Sequence, residues 1–106
     1  MLKLTVYIPE THLEQVKHAL FLAGAGRIGN YDSCSWQTFG SGQFRPLEGS
    51  KPSVGAVGDT VRVPEWKLEM ICPKDRAAEV TKALYASHPY ETPAFEFVQL
   101  WQPPEN

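Results

Sequence analysis

The stretch from Lys3 to Phe21 lies over the stretch from Lys67 to Tyr85 at a constant offset of 64 residues, KLTVYIPETHLEQVKHALF against KLEMICPKDRAAEVTKALY. Identities fall at Lys3 and Lys67, Leu4 and Leu68, Pro9 and Pro73, Val16 and Val80, Ala19 and Ala83, and Leu20 and Leu84. In each copy apolar residues first alternate, Leu2, Leu4, Val6 and Ile8 against Trp66, Leu68, Met70 and Cys72, the period of a strand with one buried face. A proline closes each strand. Helix N-caps follow in register at Thr11 and Asp75, and Glu14 three residues after Thr11 completes a capping box. The apolar stripes Leu13, Val16, Ala19, Leu20 and Ala77, Val80, Ala83, Leu84 have helical spacing, which lets each helix lie on a sheet. The first helix is expected to stop at Gly24-Ala25-Gly26, where glycine takes the left-handed C-cap, and the second before Pro89.

A further strand candidate follows each helix, Tyr31–Phe39 and Ala94–Trp101. The order βαβ then βαβ predicts an α+β, ferredoxin-like βαββαβ sandwich. Its 106 residues suit one domain with one core, with repeat halves at about 1–39 and 65–101. Between the halves, residues 40–64 carry Gly40, Gly42, Gly49, Gly55 and Gly58 with Pro46, Pro52 and Pro64. This reads as a long Gly/Pro-rich loop between strands 2 and 3, with a short hairpin around Gln43–Leu47 and Thr60–Val63. A connection of about 25 residues exceeds the usual length in a small domain and marks a place for function.

Ten Lys and Arg stand against 12 Asp and Glu, without the basic excess that contact with many phosphates demands. No apolar run approaches the roughly 20 residues of a membrane span. Nucleic acid and membrane are therefore not expected as partners. The N-terminus lacks a basic region followed by an apolar stretch, so Cys34 and Cys72 are expected as reduced thiols in a cytoplasmic protein. In the last strand Phe95, Phe97 and Trp101 share one face while Ala94, Val98 and Leu100 share the other, and Tyr7 and Ile71 repeat that second apolar face. Since monomers rarely expose large apolar patches, a homo-oligomer is expected, the alternative being a monomer whose long loop covers its sheet.

Gly24-Ala25-Gly26-Arg27-Ile28-Gly29 spells the dinucleotide fingerprint G-x-G-x-x-G but follows a helix, so no helix N-terminus meets a pyrophosphate there. It reads as a C-cap with Arg27, Asn30 and Tyr31 at its exit. His88-Pro89-Tyr90-Glu91-Thr92-Pro93 holds an imidazole, a phenol and a carboxylate between two rigid prolines, which suits a preorganised site or a subunit contact. His88 and Glu91 are metal candidates, although two ligands fall short of a zinc site. His12 and His18, six apart, point to different helix faces. Cys34 and Cys72 are expected on strands facing the helices as apolar fillers, a soft-metal pair being the alternative. The loop run Gln43–Gly49 joins an aromatic, a cation and a carboxylate in Phe44, Arg45 and Glu48. No nucleophile is paired with a base, so an enzyme is not expected.

The run GAGRIGNYDSCSWQTFGSGQFRPLEG, followed by Gly55-Ala56-Val57-Gly58 and closed by HPYETPAF, resembles the inserted domain of the Nif-three-like (YqfO-type) proteins over nearly the whole chain. That domain is similar in fold to the PII signalling proteins and to CutA, trimers of ferredoxin-like subunits, and CutA carries an HPYE-type loop. The resemblance implies a PII/CutA-like homotrimer. Full-length members surround the insert with a domain bearing a two-metal site, which nothing in these residues replaces, so the chain looks like a stand-alone version of the insert and hydrolase-like activity is not carried over. The residues in the matching runs, Arg27, Gly29, Asn30, Tyr31, Arg45, Glu48, His88, Tyr90 and Glu91, are the expected ligand-binding set. The expected function is a non-enzymatic trimeric binding or regulatory module that takes a small molecule or a protein in its intersubunit clefts. The alternative is a divalent-metal, copper-type binding protein resembling CutA; no other cofactor is expected.

Overall fold

The computed structural model describes residues 1–104. Strand β1 (Leu2–Pro9) leads through a 3-10 turn (Glu10–His12) into helix α1 (Leu13–Leu22), then strands β2 (Trp36–Phe44) and β3 (Val61–Cys72). A second 3-10 turn (Lys74–Arg76), helix α2 (Ala77–Ser87) and strand β4 (Phe95–Gln99) complete the βαββαβ order. The four strands form one antiparallel sheet in the order β2-β3-β1-β4.

Alternation in the repeat segments decides the core. Leu4, Val6 and Ile8 of β1 and Leu68, Met70 and Cys72 of β3 are buried against Leu13, Val16 and Leu20 of α1 and Val80 and Leu84 of α2. Phe95 and Phe97 pack on the same core from β4. No helix among the described residues is long and apolar enough to cross a membrane.

The exit of α1 follows the expected glycine stop in full. Gly24 has φ +114°, its N–H donates to the Phe21 carbonyl, and the Ala25 N–H donates to the Leu20 carbonyl, both at 3.1 Å. These are the paired bonds of a Schellman motif, with Ala25 buried beside Leu20 as its apolar closure. Helix α2 ends at Ser87, with His88 extended before Pro89.

Several local expectations are corrected. Thr11 and Asp75 are not N-caps: Pro9 and Pro73 lead straight into the 3-10 turns, which contain Thr11 and Asp75, and no side chain caps either helix. Thr11 Oγ1 instead meets His12 Nδ1 at 2.8 Å, so the capping box does not form. Strand β2 starts at Trp36 and not at Tyr31, because Ser33 is left-handed (φ 56°) and breaks the extended run. It continues past Phe39 to Phe44, so the supposed loop 40–64 gives residues 40–44 to β2 and 61–64 to β3. Residues 45–60 remain as the connection. Strand β4 is shorter than Ala94–Trp101, and Trp101 lies 82% exposed on the tail and not on the Phe95 face. Cys34 is in the segment before β2, its Sγ 3.5 Å from the Asp32 carbonyl, while Cys72 is buried on β3.

The outer sheet face is mixed, not uniformly apolar. By register, Tyr7, Trp36, Ile71 and Val98 share it with Lys67, Glu96 and the Lys3–Glu69 ion pair at 2.8 Å. Strands β2 and β3 run on beyond the end of β1 at Pro9, from Ser41 paired with Pro64 to Phe44 paired with Val61. This two-stranded arm and the C-terminal tail extend from opposite ends. The described residues span 55 × 24 × 23 Å with a radius of gyration of 15.1 Å, against about 13 Å for a compact domain of this length.

Candidate functional site

The arm positions the site. Residues 45–60 turn back from it onto the segment that follows α2: the Lys51 N–H donates to Glu91 Oε1 (3.0 Å), and the Phe44 and Tyr90 rings meet edge to face at 5.7 Å. The Gly58 N–H donates to the Pro46 carbonyl (2.8 Å), which closes the connection on itself. Between the two segments lies a cavity of about 590 Å³, lined among others by Tyr7, Phe44, Arg45, Leu47, Glu65 and Tyr90. Its size falls within the usual range for small-molecule sites, about 300 to 1,000 Å³.

Glu65 and Tyr90 organise the wall. The Tyr90 hydroxyl donates to Glu65 Oε2 at 2.8 Å. Burial, reinforced by the hydrogen bond to the carboxylate and its charge, pushes the Tyr90 phenol well above its usual range, so it remains a donor at neutral pH. Gly42 is what lets the carboxylate reach this position. A Cβ built at Gly42 would coincide with the Glu65 carboxylate, so any side chain there would have to displace it.

His88 fixes the segment from beneath. The Tyr90 N–H donates to Nδ1 (3.1 Å), which leaves the proton on Nε2, and Nε2 donates to the Tyr7 carbonyl (2.7 Å). The ring is buried, and burial pushes its pKa down, against the opposing pull of the Tyr7 bond and Glu65. Both nitrogens are thus engaged in a neutral imidazole. Metal binding by His88 with Glu91 would require giving up one of these bonds, which order the segment. Among the described residues no three His, Cys, Asp or Glu side chains gather as a metal site.

The expected ligand set is divided. Arg45, Tyr90 and Glu91 line the cavity, and His88 supports it. Glu48 is exposed in the same connection without lining it. Arg27, Gly29, Asn30 and Tyr31 lie at the other end of the sheet, where the Gly26 N–H donates to the Ile71 carbonyl (2.7 Å) and the Cys34 N–H to the Gly26 carbonyl (2.9 Å). The carbonyls of Tyr7 and Ile71 are equivalent under the 64-residue repeat, and each anchors the connection that follows a helix. Since β1 and β3 are antiparallel, the repeat sends the two connections to opposite ends. Gly42 escapes the sequence reading because residues 40–64 read as a loop, Tyr7 reads only as part of the outer sheet face, and Glu65 belongs to no motif. The available signal was Gly40 and Gly42, two apart on one strand face.

No family model matches the chain. Curated relatives do: it is 45% identical over 102 residues to a GTP cyclohydrolase 1 type 2 homolog of Mycobacterium leprae and 44% identical over 102 residues to one of Bacillus subtilis. Each match covers 96% of this chain, and the chain spans only about a quarter of either relative (26% and 27%). Among solved structures, a Bacillus cereus protein related to NIF3 superposes with a TM-score of 0.80 at 40% identity, covering 93% of this chain and 25% of that one. The PII-like protein CutA of Nostoc sp. shares the fold, with a TM-score of 0.67 at 15% identity over 94% of this chain and 81% of that one.

Proposed function

We propose that this chain, homologous to one segment of the Nif-three-like proteins, is a non-enzymatic homotrimeric module that binds a small ligand between the 45–60 connection and the His88–Ala94 segment. The preformed cavity between those segments is the observation that carries the ligand half. Its lining is largely apolar, with a few polar groups held in place by Gly42, Tyr90 and His88. Arg45 would supply charge-assisted hydrogen bonds to an anionic group of the ligand. Ser50 donates to the Leu47 carbonyl at 2.6 Å and the His88 ring is saturated, an arrangement that suits recognition better than catalysis.

The arm supports the assembly half. An isolated two-stranded ribbon is marginally stable in water, and on the same strand before the arm Phe39 is 52% exposed and Trp36 71% exposed. Packing against neighbouring copies would cover both. It would also allow Arg27, Gly29, Asn30 and Tyr31 of one copy to approach the cavity of the next, closing a cleft between subunits. Light scattering is expected to give the mass of three chains, and a stable monomer would overturn the assembly. Native mass spectrometry of protein taken directly from cells is expected to show a retained small molecule that Arg45→Ala releases; retention unchanged by that substitution would overturn Arg45 as the anchor.

A further inference from the structure

Glu65 is half-buried beside aromatic rings, yet it has no cationic partner. The ion pairs among the described residues are Lys3–Glu69, Lys17–Glu14 and Lys82–Glu79, and none reaches the cavity. Tyr90 occupies Glu65 Oε2, while Oε1 takes part in no hydrogen bond among the described residues. The carboxylate is nevertheless kept in place, since Gly42 leaves open the space it occupies and the Tyr90 hydroxyl holds it there. A partly desolvated anion gains most from a cation that also brings hydrogen-bond donors.

The rings around it favour one kind of cation. Tyr7, Phe44 and Tyr90 line the same cavity, and aromatic faces attract ammonium groups that have shed water. A hydrated metal ion would use the carboxylate but gain little from the largely apolar lining. A protonated amine on an apolar or aromatic body would use both.

We infer that the cavity recognises an organic amine, its ammonium group seated on the free oxygen of Glu65 and its apolar body against Tyr7, Phe44 and Tyr90. The inference rests on the proposed ligand cavity and adds the chemical class of the ligand; Arg45, on the same lining, remains available to an anionic group elsewhere on the molecule.

Three probes of one shape but different charge test it: benzylamine, benzyl alcohol and benzoate, titrated at neutral pH into the intact protein while the amide NMR signals of Gly42, Phe44 and Tyr90 are followed. Benzylamine is expected to saturate those shifts with a Kd on the order of tenfold below that of benzyl alcohol, and Glu65→Gln, which keeps an acceptor for Tyr90, to abolish the difference. Equal or tighter binding of benzyl alcohol or benzoate to the wild type overturns the amine assignment and leaves the ligand cavity standing. A preference for benzylamine that persists in Glu65→Gln overturns Glu65 as its seat. Failure of all three probes to move these signals overturns the cavity reading together with the amine. The wild-type comparison alone decides the amine question should the variant fail to fold.

Discussion

Two glycines on one strand face should respond to the same substitution with opposite signs. Neither Gly40 nor Gly42 has a positive φ, so alanine is conformationally allowed at both. Replacing glycine at such a site stabilises by about 0.4 to 1 kcal/mol, because the unfolded chain loses freedom. At Gly40 a Cβ meets nothing within 4 Å, and Gly40→Ala is expected to keep that gain. At Gly42 the methyl group would displace the Glu65 carboxylate and break its bond from Tyr90. A hydrogen bond to a charged group contributes about 1.5 to 3 kcal/mol, here discounted to about 1 to 2 because the pair is only partly buried. Gly42→Ala should therefore be destabilising by up to about 1.6 kcal/mol, a fall of up to roughly 6 to 13 °C in Tm for a domain near 100 residues. In a Tyr90→Phe background the bond is already absent, so the cost of Gly42→Ala should fall by about 1 kcal/mol. Thermal or urea unfolding of the four-member cycle, with all proteins at one chain concentration, measures this coupling. A rise in Tm for Gly42→Ala like that of Gly40→Ala would refute the steric account, as would additivity of the two substitutions within about 0.5 kcal/mol.

Other expectations concern the supports of the site and the turn at the far end. Because burial lowers the His88 pKa in the folded state, the unfolded chain binds the extra proton first. The His88 contribution should be full above about pH 6.5 and decline as the pH falls from there through the folded-state pKa, with a slope of at most about 1.4 kcal/mol per pH unit. Urea titrations at several pH values should show this decline in wild type, and its persistence in His88→Gln would assign it elsewhere. Copper or zinc titrated calorimetrically should give no heat that depends on His88, and a binding event lost in His88→Ala would contradict the saturated ring. At Gly26, with φ +80°, a Cβ would press on the Phe21 ring and the Cys34 carbonyl, so Gly26→Ala should cost about 2 kcal/mol or more. Gly29→Ala, at φ +57° in open space, should cost about 1 kcal/mol, and equal losses on unfolding would refute the contact argument. Thiol alkylation of the folded protein should modify Cys34 well before Cys72, whose thiol is buried and pushed upward in pKa by that burial; equal rates read by mass spectrometry would contradict this placement.

The fold was legible where physical constraints repeat. Alternation at Leu4, Val6 and Ile8 and again at Leu68, Met70 and Cys72 identifies the inner face, since a one-residue slip would expose all six. The helix exit was legible because Gly24 satisfies a backbone need that few other residues meet. The caps were not, because Thr11 and Asp75 carry the right chemistry but stand inside the 3-10 turns, behind prolines that already set the entry and one residue before the α-helix N-caps. The extension of β2 was hidden by Gly40 and Gly42, which resemble loop residues in composition, although the space at Gly42 is taken by Glu65 from across the strand pair. The glycine spacing marks a strand face that admits a close approach, but the residue that approaches it, Glu65, is set by the strand register and not by local sequence.

The repeat also explains why the expected ligand set splits. Gly24 and His88 are equivalent at the offset of 64, so the Gly-rich turn and the HPYE segment occupy the same place in their respective halves. In both, the connection is tied to a carbonyl near the end of the other half's first strand, Ile71 in one case and Tyr7 in the other. The means differ. Gly26 uses its backbone N–H, whereas the second half uses an imidazole, which holds the connection farther off and leaves room for Tyr90 and Glu91 to face outward. The first half also lengthens its second strand into the arm, and the antiparallel register carries that arm to the His88 end and away from the Gly-rich end. The Gly-rich end keeps a cavity of about 400 Å³ lined among others by Ile28, Cys34, Trp36 and Ile71, while the one of about 590 Å³ thus forms where the long β2–β3 connection meets the histidine-anchored segment. Replacing the imidazole bond should loosen this end alone: in His88→Gln, hydrogen exchange should quicken at Tyr90 and Lys51 while the Gly26 and Cys34 amides keep their protection. Equal quickening at both ends would mean that the two anchors are not independent.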